Sequence, residues 1–218
     1  MTLVLGVDEN GKGPVIGSLF ICGTLFDEKD INKLKELGVK DSKLLPHRKR
    51  IELAKEIKKI AKKYKIIQVK PEEIDKAVNK EDGLNLNWLE AHKTAEIINE
   101  LRPDKAIIDC PSPNIKKYKD YLLNLLRNKS IEIDAGHKYD FKFVEVGAAS
   151  ILAKCAREEE MEQIKKKYGN CGPGYTSNPI TQKFVKENFD KYPEIFRKSW
   201  STFKKHELTK KQKKLDEF

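Results

Sequence analysis

The sequence is poor in the residues that carry covalent or redox chemistry: four cysteines and four histidines in 218 residues. Cys22, Cys110, Cys155 and Cys171 are scattered and form no Cys-x-x-Cys pair. That argues against a zinc site and leaves them as ordinary buried thiols. No apolar run approaches the ~20 residues needed to span a bilayer, so no membrane partner is expected. The start, Met1-Thr2-Leu3-Val4-Leu5-Gly6, reaches an acidic pair at once and lacks the basic and apolar regions of a signal peptide. A cytoplasmic protein is therefore expected. Internal repeats and long low-complexity linkers are absent as well.

What is abundant is charge. Lys and Arg number 44 against 34 Asp and Glu, a net charge of +10. A basic balance favours polyanionic partners, although Lys/Glu-rich surfaces also accompany life at high temperature. The distribution says more: residues 197–218 hold eight Lys/Arg and three Asp/Glu, so this tail carries +5 of the +10. It reads either as a nucleic-acid contact or as a solvated helix.

The chain is long enough to bury a sizeable core without disulfides. Leu3 to Val7 reads as a first strand, and Val15 to Phe26 as a second after a Gly-rich turn. Residues 47–64 show a helical stripe of Ile51, Ala54, Ile57, Ala61 and Tyr64. Leu84, Trp88, Ala91, Ala95 and Ile98 make another. Lys105 to Asp109 is a short buried strand stopped by Cys-Pro-Ser-Pro. Residues 114–127 read as a helix, Ile131 to Asp134 as a strand, and Gly147 to Ile164 as a helix whose first half is small and apolar. Gly172-Pro173-Gly174 breaks the chain before helical pieces around 180–190 and 207–217. Alternating strands and helices followed by helices predict an α/β core over residues 1–170 and a helical extension over 171–218.

Two apolar strands end in carboxylates: Gly6-Val7-Asp8-Glu9 and Ala106-Ile107-Ile108-Asp109. Each alone could be turn chemistry. Ligands of α/β sheets gather at the C-terminal ends of strands, and two strands delivering acids to one edge would make an anionic cluster. Repulsion within it calls for cations, and hard oxygen ligands suit Mg²⁺ or Mn²⁺. Adjacent strand residues point to opposite faces. Asp8 and Glu9 can therefore share one metal site only if the strand kinks or ends there, or if Glu9 also offers its backbone carbonyl. Gly6 to Lys12 also matches the G-x-x-x-x-G-K of a phosphate-binding loop. However, Gly13 stands where a Ser/Thr should hold Mg²⁺, and Pro14 and a β-rich run follow where a helix should begin.

Together these residues resemble ribonuclease HII, the type 2 ribonuclease H family, in its archaeal form. The family's Asp-Glu-Ala-Gly-Arg-Gly-Pro stands here as Asp8-Glu9-Asn10-Gly11-Lys12-Gly13-Pro14. Asp41-Ser42-Lys43, Ile107-Ile108-Asp109, His137-Lys138-Tyr139-Asp140, Ala148 to Lys154, Gly174 to Pro179 and Arg197-Lys198-Ser199-Trp200 match further segments in family order. Asn10 and Lys12 depart from the pattern, and Lys lacks the rigid fork of Arg.

The resemblance implies a ribonuclease H-like fold, with a mixed central sheet flanked by helices. It implies endonucleolytic hydrolysis of RNA paired to DNA, including ribonucleotides embedded in duplex DNA, by a monomeric enzyme. Asp8, Glu9, Asp109 and Asp140 would be catalytic and hold two Mg²⁺ or Mn²⁺ ions ~4 Å apart, one activating water and one stabilising the leaving 3′-oxygen. Gly11, Lys12 and Gly13 would contact the ribonucleotide through backbone groups. Ser42 and Lys43 would touch phosphate, although Asp41-Ser42 could equally be a helix N-cap. Tyr175 would help recognise the ribonucleotide and stack on the following sugar. His137 reads as structural or phosphate-neighbouring. A catalytically silent nucleic-acid-binding protein is the competing reading. It explains the tail and leaves the carboxylates unexplained.

Overall fold

The computed structural model describes residues 2–39 and 46–215. The segment holding Ser42 and Lys43 lies outside the described residues. The chain forms two compact units: Met1–Asn10, Phe20–Gln68 and Leu86–Ala156 make one, and Gly11–Leu19, Val69–Asn85 and Arg157–Phe218 the other.

The first unit is built on a five-stranded sheet of order β3-β2-β1-β4-β5, with β3 (Lys63–Val69) at one edge. Strand β1 (Leu3–Asn10) pairs antiparallel with β2 (Leu19–Asp27) and parallel with β4 (Lys105–Asp109), which pairs parallel with β5 (Glu132–Gly136). All nine residues of β2 are buried. A central strand covered on both faces reads as a continuous apolar run, without alternation. One face carries helices α1 (Ile31–Glu36), α2 (His47–Ile60) and the first part of α7 (Val144–Tyr168), through a cluster that includes Phe20, Cys22, Phe26, Leu34, Ile57, Ala148 and Leu152. Gly6 allows the closest approach there: a Cβ would stand 2.1 Å from the carbonyl oxygen of Glu145. On the other face lies α4 (Leu86–Leu101), whose Ile97 fills the space where a side chain at position 23 would stand. It packs on α5 (Ile115–Leu125), which Asn114 caps by accepting the Lys117 N–H.

The structure corrects several sequence-based boundaries. Strand β1 does not stop at Val7; pairing of Asp8 with Cys22, Glu9 with Ile21 and Asn10 with Phe20 carries it to Asn10. Conversely, Val15 and Ile16 are not the start of β2 but part of the other unit's core. The helix read over 47–64 ends at Ile60, where Ala61 turns extended, and Tyr64 belongs to an unanticipated strand, β3 (Lys63–Val69). Leu84 lies before α4. The α7 helix extends three residues earlier and four later than its apolar half suggests.

The second unit includes α3 (Pro71–Asn79), α8 (Pro179–Asn188) and α9 (Ser201–Leu215) with the rest of α7. Its core joins Val15 and Ile16 to Met161, Ile164, Phe184, Phe196 and Phe203. No helix among the described residues is long and apolar enough to cross a membrane.

Candidate active site

In the parallel pair β1–β4, Val7 lies opposite Ile108, so Asp8 and Asp109 come next on neighbouring strands. Side chains alternate along a strand. Val4 and Ile107 pack with Val146 of α7, which assigns Asp8 and Asp109 to the α7 face. The fourth acid arrives from another direction. After β5, Lys138 takes a left-handed conformation (φ 60°) and starts α6 (Tyr139–Lys142), whose first turn carries Asp140. The Tyr139 N–H donates to Asp109 Oδ1 at 2.8 Å, which ties that turn to the end of β4.

Asp8 is 5% exposed. Its Oδ1 accepts the Glu9 N–H at 2.8 Å, and the Ser150 side chain hydrogen-bonds to it from α7. Burial nevertheless pushes its pKa up to about 7, and the charges of Asp109 and Asp140 push in the same direction. Three of the four expected acids thus feel one another. Glu9 belongs by alternation to the opposite face, where its charge helps to push the Tyr118 hydroxyl of α5 upward, after burial and beside Glu90. Among the described residues no group of three His, Cys, Asp or Glu side chains stands ready-made to hold an ion. Mutually repelling acids have no reason to close together without a cation between them. The donor set still fits a hard divalent cation: all-oxygen ligands, one an acid whose ionisation is opposed first by burial and then by two like charges.

His137 Nδ1 donates to the Cys110 carbonyl at 3.1 Å and so braces the ends of β4 and β5. Sequence reasoning assigned no role to Ser150; a lone hydroxyl in the run Ala148-Ala149-Ser150-Ile151 was the signal for one.

The remaining site candidates belong to the second unit. Gly11 has φ 96°, and a Cβ there would stand 2.8 Å from both the Arg157 side chain and the Ser18 carbonyl, so only glycine fits. Gly13 is exposed, and a Cβ on it would lie 3.8 Å from the Tyr175 ring. Tyr175 is 39% exposed and lies over the Arg157 guanidinium at 5.1 Å; Arg157 in turn donates to the Pro173 carbonyl at 2.8 Å. A separate groove of about 770 Å³ between α8 and α9 is lined by Lys183, Lys186, Lys205 and His206 among others. Burial, then Lys205 and Lys186, hold the His206 pKa down, as a positive groove should.

The family model described as Ribonuclease HII matches residues 5–203. A ribonuclease HII of Pyrococcus furiosus is 41% identical over 98% of this chain and 96% of its own length. That of Methanobrevibacter smithii is 38% identical over 93% and 97%. Among solved structures, the ribonuclease H2 of Pyrococcus horikoshii superposes with a TM-score of 0.87 at 38% identity, covering 95% of this chain and 98% of that one. The ribonuclease HII of Archaeoglobus fulgidus, solved in complex with PCNA, does so with a TM-score of 0.81 at 37% identity, covering 91% and 94%. The fold alone is shared with a ribonuclease HIII, Bst-RNase HIII, at 22% identity and a TM-score of 0.81. The chain belongs to the ribonuclease HII family, and is by that membership an endoribonuclease that cuts RNA in RNA/DNA hybrids.

Proposed function

We propose that the protein hydrolyses the RNA strand of RNA/DNA hybrids and also cuts at ribonucleotides embedded in duplex DNA. The products would be 5′-phosphate and 3′-hydroxyl ends. The observation that carries the reading is the juxtaposition of carboxylates: Asp8 and Asp109 come next to each other towards the ends of β1 and β4, and the turn that bears Asp140 is tied to Asp109 by the Tyr139 N–H. Such a set of hard oxygen donors calls for a divalent cation.

Asp8, Asp109 and Asp140 would hold Mg²⁺ or Mn²⁺ through carboxylate oxygens, and Glu9, whose side chain alternates to the other face of β1, through its backbone carbonyl. Mn²⁺ accompanies the solved Bst-RNase HIII. Two such ions, when bound, supply the activation of water and the stabilisation of the leaving 3′-oxygen. The chain's own residues orient the ligands. Ser150 and the Glu9 N–H fix the Asp8 carboxylate, and the Tyr139 N–H fixes that of Asp109.

Substrate contact is assigned to Gly11, Lys12, Gly13 and Tyr175, with Ser42 and Lys43 on phosphate and the basic C-terminal segment 171–218 on the duplex. The Lys-lined groove between α8 and α9 supports the last of these. Catalysis is assigned to residues 1–170, in a protein acting as a cytoplasmic monomer. The test is incubation with Mg²⁺ and a DNA duplex carrying one ribonucleotide, with the cut mapped by end-labelling. A single cut beside the ribonucleotide is expected, and an intact duplex would refute the embedded-ribonucleotide reading.

A further inference from the structure

Arg197 is completely buried and is the largest fully buried side chain among the described residues. Its Nε donates to the Gly17 carbonyl at 2.9 Å, Nη1 to that of Lys12 at 2.7 Å and Nη2 to that of Gly11 at 2.5 Å. The Trp200 ring lies over the guanidinium at 5.0 Å, and its Nε1 donates to the Gly13 carbonyl at 2.9 Å. All three carbonyls of the Gly11-Lys12-Gly13 loop are therefore held by two side chains almost 190 residues away in the chain. Burying a guanidinium is unfavourable, and an apolar side chain would fill the same space without that cost. Burial, then the neighbouring Arg157, lower its pKa to about 10, so it stays charged at neutral pH. What the arginine adds is the geometry of its fork.

That geometry has a consequence on the other side of each peptide. In a trans peptide the N–H points opposite to the C=O. Holding the Gly11 and Lys12 carbonyls inward turns the Lys12 and Gly13 N–H groups outward. The Gly13–Pro14 peptide has no N–H, so the bond from Trp200 only fixes the path of the loop. Asp75 locks the clamp by accepting the Lys198 N–H at 2.8 Å and the Ser199 N–H at 2.9 Å. The Tyr175 ring lies beside the loop, 3.8 Å from where a Cβ on Gly13 would stand.

We propose that Arg197 and Trp200 are positioning residues for ribose recognition: they aim the Lys12 and Gly13 amides at the 2′-hydroxyl of a ribonucleotide. The inference rests on the proposed cutting at ribonucleotides and goes beyond it by giving the Arg197–Trp200 segment a role. A hydroxyl oxygen can accept from such amides, and a deoxyribose offers nothing to accept.

The test uses the full chain in Ca²⁺ and compares its affinity for a DNA duplex carrying one ribonucleotide with that for the same duplex in DNA alone. Trp200→Phe keeps a ring over Arg197 and removes only the hydrogen bond to Gly13. One misdirected hydrogen bond is worth ~1 kcal/mol, so the affinity ratio should fall about fivefold. Arg197→Lys keeps the charge, loses the fork and should lower the ratio further. Thermal melting is followed in parallel, because a purely structural role would lower the melting temperature and leave the ratio alone. An unchanged ratio in Trp200→Phe overturns the proposal, and that variant alone decides if Arg197→Lys does not fold. A wild-type protein that binds the two duplexes alike overturns both this proposal and the reading beneath it. A discriminating wild type with unaffected variants overturns only this one.

Discussion

The backbone N–H of Tyr139 donates to Asp109 Oδ1 at 2.8 Å, so the residue next to one expected metal ligand holds the carboxylate of another. Asp109→Asn keeps an oxygen for that bond and removes the charge. The variant should fold, retain its affinity for an RNA/DNA hybrid and lose cleavage by at least about a thousandfold, since metals carry most of the proposed chemistry. Asp8→Asn should behave alike, because phosphate contacts and not carboxylates hold the duplex. Single-turnover cleavage in Mg²⁺ beside a hybrid-binding titration checks both. Full turnover by either variant would remove the carboxylates from the mechanism.

The pH dependence of stability follows from Asp8. Its folded pKa of about 7 lies above the ordinary 3.8. The folded state thus binds the proton more tightly than the unfolded one. The stability this contributes is complete below about pH 4 and is lost as pH rises through about 7. In metal-free buffer the wild type should therefore lose melting temperature relative to Asp8→Asn between about pH 5 and pH 8. Adding Mg²⁺ at the upper end of that range should raise the wild type more than the variant. A difference that ignores both pH and Mg²⁺ would contradict the origin assigned to the shift.

Tyr175 presents a half-exposed ring stacked on Arg157. Tyr175→Phe keeps that stacking and removes the hydroxyl, a loss of ~1 kcal/mol, or about fivefold, if one ordinary hydrogen bond to the ribonucleotide disappears. Tyr175→Ala should cost more. Both deficits should be larger on a single embedded ribonucleotide than on a continuous hybrid, where the following sugar is ribose. Equal losses on the two substrates would reduce Tyr175 to a support of its loop.

Deleting residues 204–218 removes most of α9 and its lysines but leaves the buried Phe203 in place. Binding should weaken. The slope of log affinity against log salt should flatten by roughly one for each phosphate that the helix no longer neutralises. Cleavage of saturating substrate should persist, because no expected metal ligand lies there. An unchanged slope would make the helix a solvated element.

Periodicity and local chemistry specify several elements of this chain directly. Lys105–Asp109 was legible as a strand to the residue, because a short apolar run stopped by prolines has few alternatives. The opposite faces of Asp8 and Glu9 also followed from the two-residue repeat, and the ordered motifs led to the family. What stayed hidden depends on partners distant in the chain. Strand β1 runs on through its acids because β2 pairs with them. Strand β3 emerges from what looked like the tail of a helix because the sheet has an edge for it. The raised pKa of Asp8 needs burial under α7 and the charges of residues 101 and 132 positions further along. The carbonyl clamp joins Gly11 to Arg197 across 186 positions. Local sequence encodes repeat and turn preference, whereas burial, register and charge proximity exist only once the chain has closed on itself.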